Sequence, residues 1–305
     1  MKRIGFVCLL VAVWLQNCPE SRVSADEVDL CVQHLTNVGL SIAGQNVKLS
    51  PAWLADGMDA AKQQAVTDKL AGRRKRQFYN DSIAATVESD IRSIKVDKRR
   101  AGYIVDFAFI VYADLDHLMP SENQPSNGGL QALAKESDMK VTELTPSLLK
   151  SAGITLSGLG KEKPNDADGD SRSVHGTFSL LDKVFISSVV QSAIKQTDES
   201  ITVAWEQDTR FHETPVYSNR WKFIDNDDDG GVHVYNGFAG YAKVTKLKAK
   251  DGALLVEYHY AFAEPKEWSE ERISLRAKLS IVLQESVRKA RRQIKKLKEQ
   301  AAAKQ

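Results

Sequence analysis

The segment Ala101–Asp114 contains no proline, a single glycine and many β-branched and aromatic side chains. Successive side chains of a β-strand point to opposite faces of its sheet. With that period, one face of the segment is wholly apolar, from Tyr103 to Ala113, and Asp106 is the one charged residue among apolar neighbours on the other. A strand that is wholly apolar on one face and nearly so on the other is typical of the centre of a sheet. We therefore expect this segment to be a central strand around which the rest of the chain is organised.

Alternating apolar and polar residues predict three β-hairpins. The segment Ala85–Val96 alternates more weakly than the strand that follows it, and a charged turn joins the two into one long hairpin over Ala85–Asp114. Further hairpins are predicted over Val184–Trp205 and over Gly240–Phe262, where Lys250-Asp251-Gly252 is a strong turn signal. The fold class that follows is α+β, with antiparallel hairpins forming one or two curved sheets packed by helices.

Three segments have apolar residues at three- and four-residue steps and predict helices. The first is short and covers Asp26–Leu40. The second begins at Pro51, which suits the first helical position after a Ser50 cap, and runs to Gly72. The longest covers Trp268–Glu299. We expect its first half to lie on the sheet and its basic second half to project as a solvated helix or a coiled-coil arm.

The order of these elements suggests how the chain is divided. The predicted units are a signal peptide over 1–25, an N-terminal helix-plus-hairpin unit over 26–119, a linker over 120–129, a second β-rich unit over 130–267 and a long basic C-terminal helix over 268–305. In both central units a helix that begins at proline, at Pro51 in the first unit and at Pro146 in the second, precedes a loop and a long hairpin. A duplication of the first unit explains this order, and so does a chance likeness between amphipathic hairpins.

The N-terminus has the three parts of a secretory signal peptide. Met1-Lys2-Arg3 is basic, Ile4–Leu15 is an apolar run, and Val23-Ser24-Ala25 supplies small residues for cleavage. The apolar run is too short to span a bilayer. We expect export to the periplasm or the extracellular space after cleavage near Ala25. A lipoprotein signal would instead use Cys18, although the residue before it is not small.

Cleavage would leave a single cysteine in the exported chain. Cys8 and Cys18 lie in the signal segment, and Cys31 lies beyond it. An exported chain with one cysteine has no internal disulfide, so its stability must come from its core. We expect Cys31 to be buried; pairing with another chain is the alternative.

The charges of the exported chain are balanced in number but not in position. Of 42 basic and 40 acidic residues, three basic and one acidic lie in the first 25, which leaves 39 of each. Arg288–Glu299 nevertheless contains seven basic residues and one acidic residue. A second basic run, Arg73-Arg74-Lys75-Arg76, favours a solvated helix end, with a patch for phosphate or an acidic polymer as the alternative. Such local charge does not indicate a nucleic-acid binder, which is basic over a whole domain.

The segment Asp225-Asn226-Asp227-Asp228-Asp229-Gly230 matches the D-x-D-x-D-G pattern of calcium loops. Calcium takes about six to eight oxygen ligands, and Asp225, Asp227 and Asp229 could supply carboxylates around a tight glycine turn. Asn236 stands where such loops carry a bidentate glutamate, and the flanking residues predict strands rather than helices. A calcium site and a plain acidic hairpin turn both remain open.

Asp106 and Glu257 are acids inside otherwise apolar strands. If the face that carries them lined a cleft, desolvation would raise their pKa values, and they could act as the acid and base of a hydrolase. Solvated carboxylates are the simpler interpretation, and no motif assigns a catalytic or cofactor-binding residue. His259, on the same strand as Glu257, is expected to be packed or solvent-facing rather than a ligand.

The sequence thus predicts an exported, non-enzymatic protein that binds a ligand or protein partner through its sheet or through its basic C-terminal helix, which could contact anionic surfaces. A calcium-stabilised structural or surface protein and a secreted hydrolase-like enzyme with acids in a sheet cleft are the alternatives. Neither nucleic acid nor a transmembrane segment is expected, and calcium is the one cofactor suggested.

Overall fold

A computed structural model describes most of the chain. The described residues are 25–115, 118, 140–154, 172–224, 231–270 and 275–302. The predicted signal peptide up to residue 24, the predicted linker at 120–129 and the predicted calcium loop at 225–230 lie outside them. These three assignments therefore remain predictions.

Most of the described strands belong to one antiparallel sheet. The strands are β1 (Leu40–Ile42), β2 (Gln45–Val47), β3 (Glu88–Val96), β4 (Arg99–Tyr112), β5 (Lys140–Glu143), β6 (Arg172–Leu180), β7 (Val184–Gln196), β8 (Ser200–Gln207), β9 (Arg220–Phe223), β10 (His233–Val234), β11 (Phe238–Lys246) and β12 (Ala253–Ala263). A ten-stranded sheet has the order β10-β9-β7-β8-β11-β12-β4-β3, with β6 also paired to β7 and β5 paired to β6. β1 and β2 form a separate two-stranded sheet.

The helices are few, and the longest is at the C-terminal end. The α-helices are α1 (Ala25–Gln33), α2 (Ala60–Ala71), α3 (Lys75–Phe78), α4 (Pro146–Ser151), α5 (Lys266–Glu270) and α6 (Leu275–Ala302). A π-helical turn at His34–Val38 extends α1, and short 3₁₀ turns cover Gly72–Arg74 and Thr209–Phe211. An antiparallel sheet with separate helices agrees with the predicted α+β class.

Strand β4 contains most of the apolar segment Ala101–Asp114, and it lies inside the sheet between β12 and β3. Its side chains from Val105 to Val111 are all buried, so both of its faces are covered, and its place inside the sheet confirms the predicted central strand. The predicted hairpins are also confirmed as the antiparallel pairs β3–β4, β7–β8 and β11–β12. All three hairpins belong to the same sheet. Of the one or two sheets that the sequence predicts for them, the structure has one.

Helix α6 packs against the sheet over most of its length. Its buried apolar side chains share one core with the face of β4 that carries Phe107 and Phe109, and burial continues as far as Ile294. Lys298 lies four residues later on the same helical face, yet it is exposed. Burial of this face is therefore described as far as Ile294, and the packed part of α6 is longer than the predicted half.

The predicted helix from Pro51 to Gly72 is wrong in its first part. Helix α2 begins only at Ala60, where the Asp59 side chain accepts a hydrogen bond from the Lys62 amide and caps the helix. Residues 49–57, which we call the strap, have no helical structure. They lie against the polar part of the sheet, and their polar groups bond to sheet side chains instead of to each other.

The first predicted helix is confirmed by α1 and its π-helical extension. Cys31 on α1 is partly buried and packs against the main core. Among the helices that the structure describes, none combines the length and the apolarity needed to cross a membrane.

Candidate functional site

Polar side chains gather on one face of the sheet where β4, β12 and β11 run side by side. The strand register places Asp106, His259 and Tyr241 in one row across the three strands. Glu257 and Lys243 form the adjacent row. Each of the five is at most 8% exposed. Because burying polar groups without partners is costly, the contacts of these groups determine what the site can do.

His259 lies between the two acids that the sequence singled out. Its Nδ1 is 2.7 Å from Oδ1 of Asp106, and its Nε2 is 3.3 Å from Oε2 of Glu257. A protonated imidazole donates from both nitrogens, so it can bond to both carboxylates at once. The rings of Trp53 and Tyr241 pack against the imidazole, with centroids 4.6 Å and 4.8 Å away.

The strap closes this cluster from above. The Ser50 hydroxyl donates to Oδ2 of Asp106 at 2.9 Å, and the Ser50 carbonyl accepts from the Tyr241 hydroxyl at 2.6 Å. The backbone N–H of Trp53 donates to Oε2 of Glu257 at 2.6 Å. The sheet side chains thus satisfy strap groups that a helix starting at Pro51 would have satisfied internally.

A second set of contacts fixes the end of the strap. The Lys243 ammonium donates to the Leu54 carbonyl at 2.9 Å and pairs with Asp56 at 2.8 Å. Asp56 also accepts from the Ser200 hydroxyl at 2.8 Å. Burial raises the pKa of Asp56, but the hydrogen bonds from Lys243 and Ser200 and the positive charge of Lys243 outweigh it, so the pKa is lowered below 3.8.

Asp106 is held in its ionised form. Burial raises the pKa of Asp106, but hydrogen bonds from His259 and Ser50 and the charges of His259 and Arg92 outweigh burial, and the pKa falls below 3.8. Arg92 of β3 lies 2.5 Å from Oδ2. The raised pKa expected of this acid in a cleft does not apply here: burial does disfavour the charge of Asp106, but its partners stabilise that charge more.

The same contacts favour the protonated form of His259. Burial alone lowers the pKa of His259, but the hydrogen bonds to Asp106 and Glu257 and their negative charges outweigh burial, so the pKa is raised above 6.5. One oxygen of Glu257, Oε1, is buried and has no hydrogen-bond partner among the described residues. Positive and negative groups alternate through the cluster, and the charges compensate one another.

The two acids converge, as a catalytic pair would require, but they do so in a closed place. Glu257 and His259 are 0% exposed and Asp106 is 3% exposed. With the strap bonded across it, the cluster offers no cleft for a substrate among the residues that the structure describes. Its geometry is that of an anchor that joins the strap to the sheet.

Several members of the cluster were missed by sequence reasoning. Ser50 was assigned as a helix cap, and Arg92, Tyr241 and Lys243 were not singled out. One local signal was available: Lys243 is a cation within the apolar strand β11, as Glu257 is an acid within β12. Their register pairing could not be read from either strand alone.

The predicted calcium ligands Asp225, Asp227 and Asp229 lie outside the described residues. The segments on either side are the paired strands β9 and β10, as predicted for the flanks. Within the described residues, no group of three His, Cys, Asp or Glu side chains is arranged to hold a metal ion. The calcium assignment is not tested by that observation.

The second candidate region is the basic end of α6. Arg292, Lys295 and Lys298 are exposed, whereas Arg291 is only 7% exposed and belongs to the packed part of the helix. Its guanidinium donates to three backbone carbonyls, those of Ile110, Ala85 and Thr86. Arg291 therefore serves as an anchor for the helix, and the residues after it provide an accessible basic surface.

Comparison with known proteins identifies no family. No family model matches the chain, and no curated protein matches it. Among solved structures, the crystal structure of CalU16 from Micromonospora echinospora aligns with 8% identity over 70% of this chain and 97% of that chain, with a TM-score of 0.20. A score that low does not establish a shared fold.

Proposed function

We propose that this protein is exported and binds an anionic partner, without catalysis, through the basic end of α6. The observation that carries the proposal is the change in side-chain burial along α6 near Ile294. Up to that residue one face of α6 is buried in the core, and beyond it Lys295 and Lys298 are exposed. Exposed cations on a rigid helix attract anionic partners, and the attraction weakens as salt is added.

The state of the acid cluster supports a non-enzymatic role. Both acids that could serve a hydrolase are engaged with His259 and with the strap. A general acid or base must come within hydrogen-bond reach of its substrate, and the strap occupies that position. Export is supported by the basic, apolar and small-residue order of the first 25 residues.

The test is salt elution from a sulfonate resin. The double variant Lys295→Gln/Lys298→Gln removes two charges from the exposed end of α6. The matched control, Lys150→Gln/Lys222→Gln, removes two exposed charges from α4 and β9, and β9 lies near the opposite end of the sheet from β3. We expect the α6 variant to elute at clearly lower salt than the control, with the same melting temperature. Equal elution of the two variants would contradict the proposal.

Deleting the entire basic segment would be a poor test. A chain ending before Arg288 would lack Ala290, Arg291 and Ile294, which are buried. Loss of binding could then come from loss of packing. Substitution after Ile294 separates the charge from the fold.

A further inference from the structure

The fold brings the two basic runs of the sequence together. Gln77, directly after Arg76, accepts a hydrogen bond from the Thr86 backbone N–H through its carbonyl, at 3.4 Å. The carbonyls of Ala85 and Thr86 accept from Arg291 at 2.5 Å and 3.4 Å. A two-residue length of backbone is therefore in contact with α3 on one side and with α6 on the other.

This bridge sets the distance between the runs. The amide and the carbonyl of one residue are a few ångströms apart, so the Gln77 carbonyl and the Arg291 guanidinium are at most about 10 Å apart. Arg291 is buried and bonds to three carbonyls, which fixes α6 relative to the bridge. The spacing of the two basic runs is therefore determined by buried contacts.

Both runs present charge to solvent. Residues 73–76 are all exposed. Arg74 pairs with Glu88 and Lys75 pairs with Asp68, whereas Arg73 and Arg76 form no ion pair with any described residue. On α6 the same holds for Arg292, Lys295 and Lys298, which are exposed and form no ion pair within the described part of the chain.

We infer that Arg73–Arg76 and Arg292–Lys298 form one binding surface for a linear acidic polysaccharide. The inference rests on the proposed function and specifies its partner. Residues 292 and 298 are about 9 Å apart along the helix, and the contacts through Ala85–Thr86 hold the backbone that follows Arg76 within about 10 Å of the Arg291 guanidinium. A single anion reaches only part of such a surface. A chain with repeated charges can engage both runs, and each contact raises the effective concentration of the next.

A lipid bilayer fits this surface less well. Helices that bind membranes in the interface plane bury apolar side chains among the lipids. The large apolar side chain of α6 that is exposed is Ile281. It lies eleven residues before Arg292, about 16 Å away along the helix. Among the side chains described at 292–296 and 298–299, none is large, apolar and exposed.

The experiment measures affinity for heparin, as the polysaccharide probe, at several salt concentrations. Four variants are compared with the natural chain: Arg73→Gln/Arg76→Gln, Lys295→Gln/Lys298→Gln, the combination of these two, and the control Lys150→Gln/Lys222→Gln. Log K falls as log salt rises, and each lost contact with a linear polyanion reduces the magnitude of this negative slope by about one. We expect each of the first two variants to reduce the magnitude by about two, their combination to reduce it by about four, and the control to leave it unchanged.

Each outcome separates the two proposals. If the 73/76 variant behaves like the control while the 295/298 variant loses affinity, the joint surface is refuted and binding by α6 stands. If both variants behave like the control, both proposals fail. Phosphatidylglycerol vesicles provide the last arm: tighter binding to them than to heparin at equal charge concentration would refute the polysaccharide assignment.

Discussion

Replacing Asp106 with asparagine tests whether the buried cluster holds its charges as the structure indicates. The substitution keeps the shape of the side chain and removes the negative charge that faces His259, Arg92 and Ser50. Removing one partner of a buried ion pair destabilises proteins by about 3–5 kcal/mol. The shift of the melting temperature per kcal/mol falls with chain length and is about 2 °C for a protein of this size. We therefore expect Asp106→Asn to lower the melting temperature by about 6–10 °C near pH 6.

The loss of stability in Asp106→Asn should depend on pH in a defined direction. His259 has a pKa raised above 6.5 in the folded protein, so its stabilising effect is fully present below pH 6.5 and is lost as the pH rises through the raised value. Asp106 has a lowered pKa, so its contribution is present above pH 3.8 and is lost as the pH falls through the lowered value. Both contributions coexist between these limits. The difference between Asp106→Asn and the natural protein should be largest there and smaller near about pH 10.

The assay is thermal unfolding of four proteins: the natural chain, Asp106→Asn, His259→Gln and the double variant. Residues in one hydrogen-bond network show coupling energies of about 0.5–3 kcal/mol, and we expect this pair to lie in the upper half of that range near pH 6. Lys243 and Asp56 face the same cluster and pair with each other, but they are unchanged in all four proteins and cancel in the cycle. Additive effects, or a melting temperature of Asp106→Asn within a degree of the natural value, would refute the charge assignment.

Three further predictions concern other parts of the molecule. A Cβ at Gly240 would lie 2.4 Å from Cβ of Tyr260, so Gly240→Ala should destabilise the fold by about 1–3 kcal/mol in chemical denaturation, whereas Gly176→Ala, which meets no atom closer than 4.0 Å, should be close to neutral. Arg291→Lys loses the planar guanidinium that reaches three carbonyls and should cost about 1–3 kcal/mol by the same measurement. If the acidic loop binds calcium, millimolar calcium at tenfold its dissociation constant should add about 1.4 kcal/mol and raise the melting temperature by several degrees; an absent shift, or one that persists in Asp227→Ala, would remove calcium from that loop.

Two segments of almost the same sequence show what local patterns can predict here. Leu144-Thr145-Pro146 and Leu49-Ser50-Pro51 both predict a capped helix that starts at proline. The first forms α4, with the Thr145 hydroxyl accepting from the Leu148 amide. In the second, the Ser50 hydroxyl donates to Asp106 instead. The pattern is local, whereas the competing partner is 56 residues away and cannot be read from the segment itself.

The hairpins were predictable because alternation and turn residues are local properties. The candidate site was predictable only in part. Asp106 and Glu257 stand out because an acid within an apolar strand is unusual, but their joint contact with His259 depends on the register between β4 and β12. The adjacency of the two basic runs depends on a third segment, Ala85–Thr86, which has no charge of its own.

The two basic runs are held in place by buried polar groups rather than by apolar packing alone. Apolar contacts are non-directional, so they favour burial of a helix without fixing its rotation or its exact end. Hydrogen bonds to a carboxylate or a carbonyl have defined directions. The strap bonds to Asp106 and Glu257 and leads into α2, which ends at the first basic run. Arg291 fixes the second run through its three carbonyls. Buried ion pairs add little net stability over apolar side chains of the same volume. We therefore infer that the role of these two anchors is to position the two basic runs.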